Sequence, residues 1–126
     1  MTFDPLIYRQ AEISSIDGHL VSCLSVDEYV QAFEGFETFP IIHNGKQVGG
    51  AAMRGFRFHI AVLPECRGMV GRQIVKAINW GLDISNPFIA SVNTLNTAVL
   101  GLVRRMPNEL IYEFGDTQVY LIRREI

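Results

Sequence analysis

The sequence predicts a mixed α/β fold, and three features of its 126 residues carry that prediction. Asn44-Gly45 marks a hairpin between two apolar stretches, because both central residues of a type I′ turn need a positive φ. An amphipathic pattern over residues 69–82 then predicts a long helix between two strands. A second hairpin, around Gly115-Asp116, closes the chain. This order favours a sheet that combines antiparallel and parallel strands.

The first element is a short helix. Asp4 followed by Pro5 is a typical N-cap and first-turn pair, and it predicts a helix through about residue 13. After a turn at residues 16–18, residues 19–24 are apolar enough for a strand.

A capping box marks the second helix. In Ser25-Val26-Asp27-Glu28, the Ser25 hydroxyl and the Glu28 carboxylate each accept a hydrogen bond from the other residue's backbone N–H. Gly35 is expected to end this helix, because glycine readily adopts the left-handed conformation that follows many helices.

The middle of the chain predicts a three-stranded antiparallel meander. Residues 39–43 and 47–53 flank the Asn44-Gly45 turn, and residues 56–63 follow after Arg54-Gly55. The strands are short and lie close together in sequence, so we expect each to pair with the next.

A strand–helix–strand crossover follows the meander. The helix of residues 69–82 leads to a buried strand at residues 88–92, which should lie parallel to strand 56–63. Apolar residues at helical spacing define the expected buried face of this helix: Ile74, Val75, Ala77, Ile78 and Leu82.

The last elements are a helix at residues 96–105, which Pro107 prevents from continuing, and strands at residues 111–114 and 119–123. If these two strands lie at a sheet edge, they could pair between subunits and form a homodimer. The expected apolar side of the helix consists of Leu95, Val99, Leu102 and Val103.

Composition restricts the class of protein. The chain is 48% hydrophobic and 19% charged, which suits a single domain over residues 1–126. A net charge of −2 argues against nucleic acid as a partner. Without a signal peptide or a membrane-spanning stretch, a cytoplasmic location is the default. Cys23 and Cys66 have no spacing suited to a metal, so none is expected.

The crossover resembles a known family. Residues 59–68, His-Ile-Ala-Val-Leu-Pro-Glu-Cys-Arg-Gly, are similar to the segment of the GNAT acyltransferases in which a hydrophobic strand ends in V-x-P-x-x-R-G. Residues 88–92, followed by Asn93 or Asn96, resemble the family's next strand and its Asn-led helix. The resemblance covers roughly residues 39–123 and implies the GNAT fold.

The resemblance also implies an acetyl-CoA site at the crossover. In the family, backbone N–H groups after the strand hold the pyrophosphate, because a helix N-terminus presents unpaired donors to an anion. Ile60 and Val62 would offer strand-edge groups to the pantetheine arm, and Asn96 would donate to that arm. An equal alternative is that Asn93 and Thr94 cap the helix. By position, the pyrophosphate loop consists of Arg67, Gly68, Met69, Val70, Gly71 and Arg72.

Two departures from the family pattern affect this site. Val70 and Arg72 stand where small residues are expected; a valine there could block the pyrophosphate, and Arg72 could equally bind a phosphate oxygen. Val103 stands where the family has the Tyr that protonates the departing thiolate, and Pro107-Asn108 replaces Gly-Phe.

His59 is the candidate catalytic residue. It lies on the strand that often carries a catalytic carboxylate in this family, and an imidazole with a pKa of about 6.5 can deprotonate an amine. The alternative is a structural residue on a half-buried strand face. Tyr112 and Tyr120, on the terminal strands, are either packing residues or substitutes for the missing acid.

Three functions fit these residues. The first is an acetyl-CoA-dependent N-acyltransferase that acts on a small-molecule or peptide amine. The second is a non-catalytic GNAT-fold protein with a protein partner, similar to short bacteriophage proteins of virion or head assembly, which would be virion-associated. The third is a regulatory domain that binds CoA or another nucleotide without catalysis.

Overall fold

A six-stranded sheet is the centre of the computed structural model, which describes residues 2–13, 23–95 and 97–124. Its strands are β1 (Glu37–His43), β2 (Lys46–Arg54), β3 (Arg57–Val62), β4 (Phe88–Asn93), β5 (Asn108–Phe114) and β6 (Thr117–Ile122). They lie in the order β1-β2-β3-β4-β6-β5. The mixed α/β architecture predicted from the sequence is therefore confirmed.

Helices cover both faces of this sheet. In the described residues they are α1 (Pro5–Ile13), α2 (Val26–Ala32), α3 (Gly71–Ile84) and α4 (Thr97–Arg104), with a 3-10 turn at Pro64–Cys66. No helix of this part of the chain is long and apolar enough to cross a membrane.

The predicted meander and crossover are confirmed. Asn44 and Gly45 have φ values of 52° and 78°, as the type I′ turn between β1 and β2 requires. β2 pairs antiparallel with both β1 and β3, and Gly55 turns the chain between β2 and β3 at a φ of 61°. β3 pairs parallel with β4.

The two faces of the sheet bury unequal cores. The larger core lies under α3 and α4, where Phe88 and Ile41 are 0% exposed. On the opposite face, α1 and α2 bury Tyr8, Tyr29 and Ala52 in a smaller aromatic layer.

The predicted helix faces need two corrections. Ala77, Ile78 and Leu82 of α3 are buried as expected, but Val75 is 42% exposed. Val75 is turned about 100° from Ile74, which carries it beyond the edge of the apolar stripe. Leu95 is 64% exposed because it precedes α4 rather than belonging to it.

The capping box of α2 is confirmed. The Glu28 N–H donates to Ser25 Oγ at 3.1 Å, and the Ser25 N–H donates to Glu28 Oε1 at 2.9 Å. The helix ends at Ala32, and Gly35 follows with a φ of 83°.

Some predicted elements lie outside the described residues or differ from the structure. The predicted turn at residues 16–18 and most of the predicted strand at residues 19–24 fall outside the described residues. Cys23 and Leu24 are described, and they lie in a turn rather than a strand. The terminal hairpin forms, but β6 lies between β4 and β5, so only β5 of these two strands lies at a sheet edge.

Candidate active site

The site begins where β3 and β4 separate. Their ladder comprises two registered pairs, Arg57↔Ile89 and Phe58↔Ala90, and the Ile89 N–H donates to the Phe56 carbonyl at 2.7 Å. Beyond Phe58 each strand continues without pairing to the other. A gap therefore opens in the middle of the sheet, between strands that are each held by another neighbour.

Backbone groups line this gap. Successive residues of a strand direct their N–H and C=O groups to opposite sides, so Ile60 and Val62 face β4 as Phe58 does. By the same alternation, Ser91 and Asn93 face β3. The Val62 carbonyl accepts a hydrogen bond from Arg67 Nε at 3.3 Å. Ile60 and Val62, the residues predicted to offer strand-edge groups, thus lie where β3 and β4 do not pair.

A cleft of about 520 Å³ passes through the gap. Ile74 and Ile78 of α3 line it on one face of the sheet, and Tyr8 and Glu12 of α1 line it on the other. The wall between them is formed by residues of β3, β4, β6, α4 and the adjoining loops: Phe58, His59, Ile60, Arg67, Ala90, Ser91, Val92, Asn93, Leu95, Thr97, Val99, Leu102, Val103 and Ile122. A molecule in this cleft would contact helices from both faces.

The α3 end of the cleft carries the predicted pyrophosphate loop. Gly68 has a φ of 84°, and α3 begins at Gly71, where an added Cβ would meet no atom within 4 Å. Val70 is the N-cap and provides no side-chain cap, so the N–H groups of the first turn of α3 depend on other acceptors. Uncapped donors beside open space suit an anion.

The side chain of Val70, which the sequence left as a possible obstruction, does not obstruct this loop. It is 0% exposed and packs in the larger core, so it points away from the space in front of α3. Arg72 is exposed on the first turn, and Met69 is 59% exposed beside it. Arg67 lines the cleft itself. The loop therefore brings two arginines to an open helix N-terminus.

The opposite end of the cleft is built by α1. Tyr29 Oη donates a hydrogen bond to Glu12 Oε1, and Tyr8 is 2% exposed beside it. Burial raises the pKa of the Glu12 carboxyl, while the bond from Tyr29 acts to lower it. Glu12 is thus a half-buried carboxylate at the mouth of the gap.

His59 stands on β3 at this end, on the sheet face that α1 covers. Its ring lies 6.1 Å from the Phe36 ring, centroid to centroid. Partial burial lowers the pKa of the His59 imidazole, and the positive charge of Arg57 lowers it further. Both effects favour the neutral ring, which is the form that can accept a proton.

No tyrosine occupies the position of the expected general acid. Val103 lines the cleft there and is 3% exposed. Tyr120 Oη donates to Gln118 Oε1 at 2.6 Å, and neither Tyr120 nor Tyr112 is among the residues that line the cleft. The residues with a hydroxyl group that do line it are Tyr8, Ser91 and Thr97.

Asn96 lies outside the described residues, so its expected contact stays a prediction. Asn93 Oδ1 accepts the Leu95 N–H at 2.9 Å and thereby shapes the turn before α4. Sequence reasoning missed Glu12 and Tyr8 as cleft residues. The Asp4-Pro5 signal identified their helix, but nothing in the local pattern places α1 over the gap.

The described residues contain no group of three or more His, Cys, Asp and Glu side chains that could hold a metal ion. One cleft thus combines an uncapped helix N-terminus, an open strand edge and two side chains that can accept a proton.

Solved structures of N-acetyltransferases share this fold. The N-acetyltransferase from Staphylococcus aureus has a TM-score of 0.72 and 18% identity, covering 94% of this chain and 89% of that one. The ribosomal-protein-alanine N-acetyltransferase from Brucella melitensis has a TM-score of 0.69 and 19% identity, covering 94% and 91%. The yncA protein of Salmonella typhimurium, solved with its cofactor acetyl-CoA, has a TM-score of 0.69 and 14% identity, covering 94% and 85%.

The sequence matches no family model and no curated protein. The likeness to solved structures shows that the chain has the GNAT fold, as the crossover motif implied.

Proposed function

We propose that this GNAT-fold chain is an acetyl-CoA-dependent N-acyltransferase that acts on an amine. The observation that carries the proposal is the gap between β3 and β4, which joins an uncapped helix N-terminus to a pair of titratable side chains. A gap of this kind accommodates an extended ligand that pairs with a strand edge, carries an anion at one end and reacts at the other.

The residues at the α3 end fit the cofactor. The N–H groups at the start of α3 would hold the pyrophosphate, and Gly71 leaves room for it because no atom lies within 4 Å of an added Cβ. Arg67 and Arg72 would supply positive charge. Ile60 would offer its backbone groups to the pantetheine arm, as an added strand would need.

The residues at the α1 end fit a reacting amine. Acetyl-CoA would supply an activated acetyl thioester at the gap. His59 would accept a proton from the amine, directly or through a water, and its lowered pKa keeps the imidazole neutral for that purpose. Because Val103 replaces the family's Tyr, protonation of the thiolate would fall to water or to a cleft hydroxyl.

Thermal unfolding with and without millimolar acetyl-CoA tests the proposal. A ligand at 100-fold its Kd stabilises the native state by about 2.7 kcal/mol, so the unfolding temperature should rise clearly. Gly71→Asp should abolish most of that rise, because a carboxylate at the start of α3 repels the pyrophosphate. The same carboxylate interacts favourably with the helix dipole, so the free variant should unfold no earlier than the wild type.

Arg105→Gln is the matched control, since Arg105 is an exposed residue after α4 that does not line the cleft. It should leave the acetyl-CoA effect unchanged. If the wild type gains no stability from acetyl-CoA, the acyltransferase proposal is wrong, and the proposal of a CoA-binding regulatory domain is wrong with it. A rise in unfolding temperature without acetyl transfer to any amine would favour the regulatory domain.

A non-catalytic assembly role is the second candidate, and the outer strand β5 favours it. Exposed apolar side chains on an edge strand are typical of surfaces that bind protein. Such a protein, for example one of a bacteriophage virion or head, would bind a protein partner or a second copy of itself. On β5 the exposed fractions are 45% for Leu110, 45% for Ile111, 60% for Tyr112 and 73% for Phe114.

Sedimentation measurements together with the acetyl-CoA experiment separate the two candidates. Concentration-dependent association that Phe114→Glu abolishes, in a protein that acetyl-CoA does not stabilise, would support assembly. A monomer that acetyl-CoA stabilises would support the enzyme.

A further inference from the structure

A second pocket adjoins the cleft at His59. Its volume is about 400 Å³, and Phe36, Arg54, Arg57 and His59 line it. His59 also lines the cleft through the sheet, so the two spaces share this side chain as a wall. A ligand in the cleft could therefore extend past His59 into the pocket.

The backbone brings the two arginines together. Arg54 and Arg57 are register partners on either side of the Gly55-Phe56 turn, so their side chains project from the same face of the sheet. His59 is two residues beyond Arg57 and shares that face. Like charges directly opposite each other destabilise a strand pair, so this arrangement costs stability when nothing offsets the charge.

No acidic group of the described residues neutralises this pair. Neither guanidinium forms an ion pair or a hydrogen bond with another residue in the described ranges, and no acidic side chain lines the pocket. Arg54 lies over the Phe36 ring, with 5.6 Å between its guanidinium carbon and the ring centroid, which leaves its N–H groups available. The net charge of the chain is −2, so this concentration of positive charge is local.

We propose that Arg54 and Arg57 bind an anionic group of the acceptor, so that the substrate is an amine that also carries a carboxylate or a phosphate. The inference rests on the proposed acyltransferase function and specifies its acceptor. The planar guanidinium matches both anions, because two parallel N–H groups can donate to two oxygens at once.

The geometry also sets the size of this acceptor. Residues two apart on a strand are separated by roughly 7 Å, which is the distance from His59 to Arg57 along β3. An amine beside His59 and an anion beside Arg57 therefore belong to a compact molecule, of the dimensions of an amino acid or an aminoalkyl phosphate. The carboxylate of Glu12, at the α1 end of the cleft, complements the positive charge of the amine before it loses its proton.

Matched acceptor pairs test the inference. We expect glycine and β-alanine to be acetylated with a lower KM than their amides, or phosphoethanolamine with a lower KM than ethanolamine. In Arg57→Gln and in Arg54→Gln the KM of the anionic acceptor should rise about tenfold, toward that of the neutral one. At a pH well above the pKa of His59, where the imidazole is neutral with or without Arg57, the kcat should change little, because the contact is the same in the ground state and the transition state. Arg105→Gln is the control for loss of a positive charge elsewhere.

Acetate and inorganic phosphate provide a second readout that does not depend on activity. At constant ionic strength, one of them should shift the NMR signals of the His59 ring in the wild type and not in the Arg54→Gln/Arg57→Gln double variant. The stronger of the two identifies the anion as carboxylate or phosphate.

The outcomes distinguish a failure of the anionic-acceptor proposal from a failure of the acyltransferase proposal. Equal KM values for anionic and neutral acceptors, in a protein that acetyl-CoA stabilises, would overturn the anionic acceptor and leave the acyltransferase standing. Anion-dependent shifts of His59 in a protein that acetyl-CoA does not stabilise would support the anion site and overturn its role in acetyl transfer. If neither anion moves the His59 signals, the pocket is not an anion site.

Discussion

Among single residues, His59 has a pKa that its surroundings lower. Partial burial and the charge of Arg57 both disfavour its protonated form, so the pKa of the imidazole lies below 6.5. As a general base it should be active at pH 7, and kcat/KM should fall only as the pH drops through that lowered pKa. His59→Gln should lower kcat by about 100-fold or more, measured by release of CoA across the pH range.

Glu12→Gln distinguishes the two proton acceptors. Glutamine still accepts the hydrogen bond from Tyr29 but cannot take up a proton, so this variant should keep the acid limb of the pH profile if His59 is the base. Loss of the limb in Glu12→Gln, and its survival in His59→Gln, would assign the base to Glu12 instead.

Of these two residues, only His59 could be assigned to the site from the sequence. His59 belongs to a continuous motif that ends at Gly68, so its place on β3 follows from local pattern. Glu12 comes to the cleft because α1 packs across the opposite face of the sheet. Long-range packing of that kind leaves no signal near residue 12.

At the scale of the element, alanine substitutions at two helical glycines should have opposite effects on stability. Gly81 of α3 lies against the stacked rings of Phe58 and Phe88, and an added Cβ would come within 2.9 Å of Phe58 and 3.1 Å of Phe88. Gly101 of α4 has no atom within 4 Å of an added Cβ. Alanine favours a helix over glycine by about 1 kcal/mol at both positions. Overpacking costs about 1–3 kcal/mol, and only at Gly81.

We therefore expect Gly101→Ala to raise the free energy of unfolding by up to about 1 kcal/mol, and Gly81→Ala to lower it. Urea denaturation of the two variants measures both effects against the same wild type. Stabilisation by Gly81→Ala would mean that Phe58 and Phe88 can move apart, and that α3 is packed less tightly than the contacts indicate.

The elements that the sequence predicted well are those with local causes. Asn44-Gly45 has the turn conformation that its residues favour, and Ser25 and Glu28 form the capping box that their spacing predicts. Periodicity alone could not exclude Val75 from the buried face, because the width of that face depends on the sheet beneath α3. The separation of β3 from β4 has no signal in either strand, since both have apolar sequences that could pair along their full length.

At the scale of the whole molecule, the sheet separates a large core from a small one. The α3 end of the cleft is built on the large core, whereas the α1 end depends on the aromatic layer of α1 and α2. Elements with less buried apolar surface open at lower free energy, so α1 and α2 should exchange their amide hydrogens faster than β2 and α3. Of the two ends of the cleft, the α1 end should then open more readily.

A substitution at Phe33 tests whether the two ends of the cleft depend on different cores. Its ring centroid lies 5.2 Å from that of Tyr29, 5.6 Å from those of Phe3 and Tyr8, and 6.0 Å from that of Phe36. Phe33→Ala should lower stability by about 2–3 kcal/mol, less than for a fully buried ring, and should accelerate hydrogen exchange in α1 and α2. The acceptor KM should rise, because Tyr8 and Glu12 lose their support, while the Kd of acetyl-CoA should stay unchanged.

Phe33→Leu keeps an apolar contact and should show a smaller effect of the same kind. Equal weakening of acetyl-CoA and acceptor binding by Phe33→Ala would mean that the two faces of the sheet unfold together.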